Sequence, residues 1–179
     1  MKENNIIHRD LKLENILIKY IDKEKKKYKI KLSDYGSSKR LISLSRSCNS
    51  HLGTLSYMAP EILKGEKYNY KCDLWSIGII IYRLIYGESP YLGANETDLI
   101  NRIEESGNKK IKIGNKVLND LVKQLLEKDL NDRINGDDYF NHPFFETKST
   151  KNTNTINLIY YLEKEKEENI FGEEFVKIA

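Results

Sequence analysis

The sequence predicts a mainly α-helical domain with short β-hairpins at one end, and three observations predict it. Residues 74–86 are apolar around the whole helical circumference, which marks a buried central helix. Three later segments repeat apolar residues at helical spacing. The clearest β-type runs are short and lie before residue 33.

Taken in order, Ile16-Leu17-Ile18 and Lys29-Ile30-Lys31-Leu32 read as a hairpin leading into Asp34. Their connection includes Asp22 and the run Lys23-Glu24-Lys25-Lys26-Lys27, a solvated hairpin tip or, alternatively, a docking patch. Residues 37–56 are rich in Ser, Arg, Asn and Gly and form a loop of functional length. Asp73 stands before the central apolar run and can cap its first turn, and Gly87 can end its last. Residues 95–105 form an amphipathic helix with Leu99, Ile100 and Ile103 on one face. Residues 118–126 form another, through Leu118, Leu121, Val122, Leu125 and Leu126. Asp137-Asp138-Tyr139-Phe140 starts a last one, stopped by His142-Pro143. Beyond Phe145 the composition turns polar, so the chain divides into a domain over 1–145 and a tail over 146–179. In that tail a linker over 146–155 precedes a candidate helix over 156–169 bearing Ile156, Ile159, Tyr160 and Leu162.

Composition narrows the functional classes. A chain of 179 residues can bury one real core, and 32 % charged with 39 % hydrophobic residues is the balance of a soluble globular protein. A net charge of +3 gives no argument for nucleic acid. Cys48 and Cys72 have no metal-ligand spacing and form no disulfide framework, which favours a reducing compartment. The N-terminus lacks the apolar run of a signal peptide, and residues 74–86 contain Ser76 and Arg83 and are too short to span a bilayer. A cytosolic or nuclear setting follows.

The chemistry is concentrated in two places. His8-Arg9-Asp10-Leu11-Lys12-Leu13-Glu14-Asn15 sets a carboxylate and an amide five residues apart, and Asp34-Tyr35-Gly36 adds a second carboxylate. Such a set builds a phosphoryl-transfer site: one carboxylate accepts a hydroxyl proton, and an amide with another carboxylate holds magnesium. With Gly53-Thr54-Leu55-Ser56-Tyr57-Met58-Ala59-Pro60-Glu61, Asp73-Leu74-Trp75-Ser76-Ile77-Gly78 and Asp129-Leu130-Asn131-Asp132-Arg133, these elements stand in the order of one family. Residues 4–145 resemble the C-terminal lobe of a eukaryotic protein kinase, the mainly helical part of an α+β fold.

The resemblance implies roles. Asp10 matches the catalytic base, Lys12 the residue at the transferring phosphate, and Asn15 and Asp34 the magnesium ligands. ATP and Mg²⁺ are the implied cofactors, and a protein the implied substrate. Tyr35 replaces the usual Phe before Gly36 and keeps the aromatic packing. Thr54 is implied to hydrogen-bond toward Asp10 and Lys12, and Lys12 with Gly53-Thr54 matches the serine/threonine class. Glu61 is implied to pair with Arg133, and Asp73 to receive the backbone N–H groups of the His8-Arg9 turn. Arg9 matches the residue that grips a phosphorylated activation loop. Ser50, eleven residues before Glu61, stands where that phosphate is usually carried, with loop solvation as the alternative; Ser43, Ser45 and Ser47 are read as loop solvation. The ending Asn141-His142-Pro143-Phe144-Phe145 is nearest to calcium/calmodulin-dependent and autophagy-initiating kinases.

The ten glycines form no G-x-G-x-x-G, and no counterpart of the family's smaller N-terminal lobe is found. The expectation is a fragment with weak ATP affinity, inactive alone. Its central helix is expected to expose an apolar strip that the N-terminal lobe or a partner covers. A pseudokinase-like protein-binding module and a non-functional fragment are the rival readings.

Overall fold

The computed structural model describes residues 6–22, 27–34, 39–40, 52–146 and 176–177. Strand β1, Ile6–Ile7, pairs antiparallel with β4, Lys39–Arg40. After a 3₁₀ turn over Leu13–Asn15, β2 (Ile16–Asp22) pairs antiparallel with β3 (Lys27–Leu32), from Ile16 opposite Leu32 to Tyr20 opposite Tyr28, with an irregularity after Tyr20. The expected hairpin forms and is longer than its apolar runs, because ladder hydrogen bonds carry it into the charged flanks. Its tip, 23–26, lies outside the described residues.

Seven α-helices follow among the described residues: α1 Leu52–Leu55, α2 Pro60–Leu63, α3 Lys71–Tyr86, α4 Glu96–Ser106, α5 Lys116–Leu125, α6 Gly136–Phe140 and α7 Pro143–Glu146. The core centres on α3. Trp75 and Ile79 are fully buried there, Trp75 stacks on Tyr91 at 5.7 Å, and α5 brings Leu121, Leu125 and Leu126 against it. Gly78 permits that approach, since a Cβ there would stand 2.8 Å from Leu126 Cδ2. Burial is deepest in the first half of α3; Ile81, Tyr82, Leu84 and Ile85 are half-buried and Tyr86 is exposed. No helix among the described residues is long and apolar enough to cross a membrane.

Helix ends follow side-chain chemistry. Asn95, Asn115 and Asn135 each accept an amide of the first turn of α4, α5 and α6. Gly87 ends α3 in the left-handed region at φ 79°, its N–H bonded to the Arg83 carbonyl. The start of α3 differs from expectation. The helix begins at Lys71, and Asp73 does not cap it, because both carboxylate oxygens are taken by another segment. Pro143 opens α7 where the sequence reads only a stop, since proline suits the first turn of a helix.

The candidate tail helix over 156–169 lies outside the described residues. The described part of the tail is β5, Val176–Lys177, which pairs antiparallel with β2 opposite Ile18 and Leu17. The second sheet therefore runs β3-β2-β5.

Candidate functional site

The site is built on the turn between β1 and β2. Asp73, buried in the first turn of α3, accepts the backbone N–H of His8 at Oδ2 and of Arg9 at Oδ1, both at 2.9 Å. Burial raises the Asp73 pKa above the ordinary aspartate value, and the two backbone amides offset only part of that rise. Arg9 takes φ 66°, a left-handed conformation unusual for a side-chain-bearing residue, and the Asp73 grip holds it. The next residue is Asp10.

Asp10 is clamped on one oxygen. Lys12 Nζ and Asn15 Nδ2 both approach Oδ2 at 3.0 Å, and Asn15 Nδ2 also donates to the Asp10 carbonyl at 2.9 Å. Among the described residues no hydrogen bond occupies Oδ1. The double donation by Nδ2 also sets the Asn15 amide, leaving its Oδ1 as the acceptor.

Hairpin register brings in the second carboxylate. Ile16 faces Leu32, so Asn15 and Ser33 come level; Ser33 donates its N–H and its hydroxyl to the Asn15 carbonyl, at 2.9 and 3.2 Å. Asp34 follows in a left-handed backbone, φ 56°. Arg9 and Asp34 are the two non-glycine residues with positive φ among the described residues, and both are site residues.

A second support ties the segment ending at Glu61 to the loop after α5. Glu61 and Arg133 form a buried, bidentate pair at 2.7 and 2.8 Å. Arg133 also donates to the Glu127 and Lys71 carbonyls and lies 5.1 Å from the Trp75 ring centre. Lys71 Nζ reaches the carbonyls of Leu130, Asn131 and Arg133 at 2.9, 3.2 and 2.6 Å and fixes the loop around that arginine.

The structure thus joins Asp10, Lys12 and Asn15, bonds Ser33, the residue before Asp34, to Asn15, and links Asp73 to His8 and Arg9. Among the described residues the Thr54 hydroxyl makes no hydrogen bond to Asp10 or Lys12; Thr54 sits within the single-turn α1. Arg9 Nη1 reaches the Tyr68 hydroxyl at 3.4 Å. Tyr35, Gly36 and Ser50 lie outside the described residues. The sequence reading leaves Lys71 and Arg83 without a role. Arg83 did carry a signal, a guanidinium inside an otherwise apolar helix; Lys71 carried none, as its partners lie about sixty residues away.

The donor set fits magnesium, a hard cation that takes one or two carboxylate or amide oxygens and keeps water and phosphate as its other ligands. No group of three or more His, Cys, Asp or Glu that could hold a metal occurs among the described residues, and this ion does not need one.

The protein kinase domain family matches residues 1–145 of the chain. The chain belongs to the protein kinase family. Among curated protein kinases, the chain is 37 % identical over 145 residues to the serine/threonine-protein kinase atg1 of Dictyostelium discoideum, covering 79 % of this chain and 21 % of that protein. It is 35 % identical over 164 residues to calcium-dependent protein kinase 4 of Plasmodium falciparum, covering 88 % of this chain and 30 % of that protein. The chain therefore spans less than a third of the length of either relative. Among solved structures, the twitchin kinase region of C. elegans superposes with a TM-score of 0.65 at 28 % identity, over 84 % of this chain and 26 % of that one. The helix-rich architecture is accordingly a protein-kinase-like fold.

Proposed function

We propose that the chain carries the catalytic-loop side of a serine/threonine protein kinase, with residues 1–145 forming the helical C-terminal lobe and 146–179 a tail. The observation that supports it most is the clamp on Asp10: Lys12 and Asn15 occupy one carboxylate oxygen and leave the other for a hydroxyl proton. In the reaction, a serine or threonine oxygen of a protein substrate bonds to the γ-phosphorus of ATP. The bond to the β–γ bridging oxygen breaks, ADP leaves, and Asp10 takes the hydroxyl proton. Lys12 contacts the transferring phosphate, and Asn15 and Asp34 would hold magnesium, which when bound would supply positive charge against that developing in the transfer. Positioning carries most of such a reaction, which gives the Asp73 grip its purpose.

The remaining contacts to ATP come from polypeptide other than these residues, and a cytosolic or nuclear protein is the setting this reading carries. The test is phosphate transfer from radiolabelled ATP to a serine peptide, by the chain alone and joined to any polypeptide encoded in frame upstream of Met1. The expected result is transfer that Asp10→Ala lowers by about 10²-fold or more. Transfer unaffected by that change would overturn the reading. The rival, a protein-binding module, is favoured if Mg-ATP leaves the melting temperature unchanged in both forms and neither transfers phosphate.

A further inference from the structure

Between Glu105 and Asp120 the chain carries Lys109, Lys110, Lys112 and Lys116 and no acidic residue. All four lysines are exposed, and among the described residues none of them forms an ion pair. Carboxylates on the adjoining helices are engaged elsewhere. Glu104 holds Lys64 and Lys128, Asp120 accepts from Gln124 and meets His142, and Glu127 accepts from the Asn108 side chain. The positive field of this loop therefore has no bonded counter-charge within the described residues.

The backbone that carries the lysines is pinned on several sides. Tyr91 donates its hydroxyl to the Gly107 carbonyl and Tyr86 to that of Lys112, both at 2.8 Å. Asn108 Nδ2 donates to the Lys123 carbonyl at 3.2 Å, and the Ile113 N–H to Asn119 Oδ1 at 2.7 Å. Ile111 is extended and fully buried, and anchors the middle of the loop. Exposed Lys110 and Lys112 flank it, about 6–7 Å apart at Cα, the spacing of alternate residues in an extended strand. Tyr86, which is 44 % exposed, adds an aromatic surface beside Lys112. It ends α3 about 20 Å along the helix from Asp73, so the patch is separate from the catalytic turn.

We propose that Lys109, Lys110, Lys112 and Lys116, with Tyr86, form a docking surface for a short acidic segment of a partner protein, bound extended with carboxylates at alternate positions. A fixed backbone lowers the ordering cost of such binding. Glu105 and Asp120 close the basic run at either end, which suits a short acidic peptide and opposes a long phosphate polymer or an anionic membrane plane. The inference does not rest on phosphate transfer.

The test is fluorescence anisotropy of a labelled peptide alternating Glu with Leu, titrated with the full 179-residue chain. The same peptide with Gln for Glu is the control. The Glu peptide is expected to bind, the Gln peptide to bind at least roughly tenfold more weakly, and added salt to weaken the former. Lys110→Glu and Lys112→Glu should each weaken the Glu peptide about tenfold, and the milder Lys112→Gln a few-fold. Lys67→Glu changes the net charge equally at another exposed site and should leave binding within about twofold. No binding of the Glu peptide, or equal losses from Lys67→Glu and Lys112→Glu, overturns the inference. So does tighter binding of phosphatidylserine vesicles or of a single-stranded oligonucleotide than of the peptide. If Lys112→Glu fails to fold by circular dichroism, Lys112→Gln and the two-peptide comparison still decide. Binding is read without ATP, so its failure leaves the protein-kinase reading standing.

Discussion

Arg9 and Asp34 hold left-handed backbones without the freedom of glycine, a strain of about 1–3 kcal/mol each. Arg9 precedes Asp10, which the proposed chemistry uses, and Asp34 is itself used; Asp73 is the restraint on the first. Asp73→Asn replaces one acceptor with a donor facing a backbone N–H, leaving a buried amide unsatisfied. We expect a loss of about 1–3 kcal/mol in urea unfolding. We also expect a fall in phosphate transfer larger than the folded fraction explains; a folded variant with undiminished transfer would rule out the positioning role. Glu61→Ala should be costlier, about 3–5 kcal/mol, because it strands the Arg133 guanidinium in the interior. Adding Arg133→Met to Glu61→Leu should recover much of that loss by calorimetry, and no recovery would mean the site needs the ion pair itself. Glu61, Asp73 and Arg133 are legible in the sequence because each sits in an ordered motif with a mechanical reason. Lys71 is not, since three carbonyls converging on one ammonium leave no local pattern.

Among elements, the β2–β3 hairpin does most to position the site, because its register sets Ser33, the residue before Asp34, against Asn15. That was readable from two β-type runs ending just before an aspartate. The exact helix starts were less so: Asp73 reads as a cap from sequence, and only the structure shows both its oxygens committed to the catalytic turn. The helices are also joined on the surface. Glu104 on α4 meets Lys128 beyond α5 and Lys64 just after α2, and these two bonds hold its pKa below the ordinary glutamate value. A lowered pKa means that this stabilisation is present above the unfolded value of about 4.3 and is lost as pH falls through the folded value. The melting temperature of Glu104→Gln should therefore lie below that of the native chain at neutral pH. The gap should close on acidification below about pH 4 and narrow at high salt. A gap that persists in acid would show that the contribution is not ionic.

At the scale of the whole molecule, the helical core around α3 is legible because its apolar periodicity is strong and continuous. The pairing of β5 with β2 is not, for a two-residue strand near the end of the chain leaves no periodic trace. That pairing has a consequence for solubility. A sheet with free edges is a template for joining other chains. On one side of this sheet β3 alternates Lys27, Lys29 and Lys31, a charged edge that discourages such joining. On the other, β2 presents Ile16-Leu17-Ile18, which lacks charge, and β5 covers its Leu17 and Ile18. Removing residues 176–179 should uncover that edge and give concentration-dependent self-association in size-exclusion chromatography. A shortened chain that stays monomeric at every concentration would show the lysine edge to be guard enough. In this sheet, two residues far along the chain from the catalytic turn act as a stopper against self-templating.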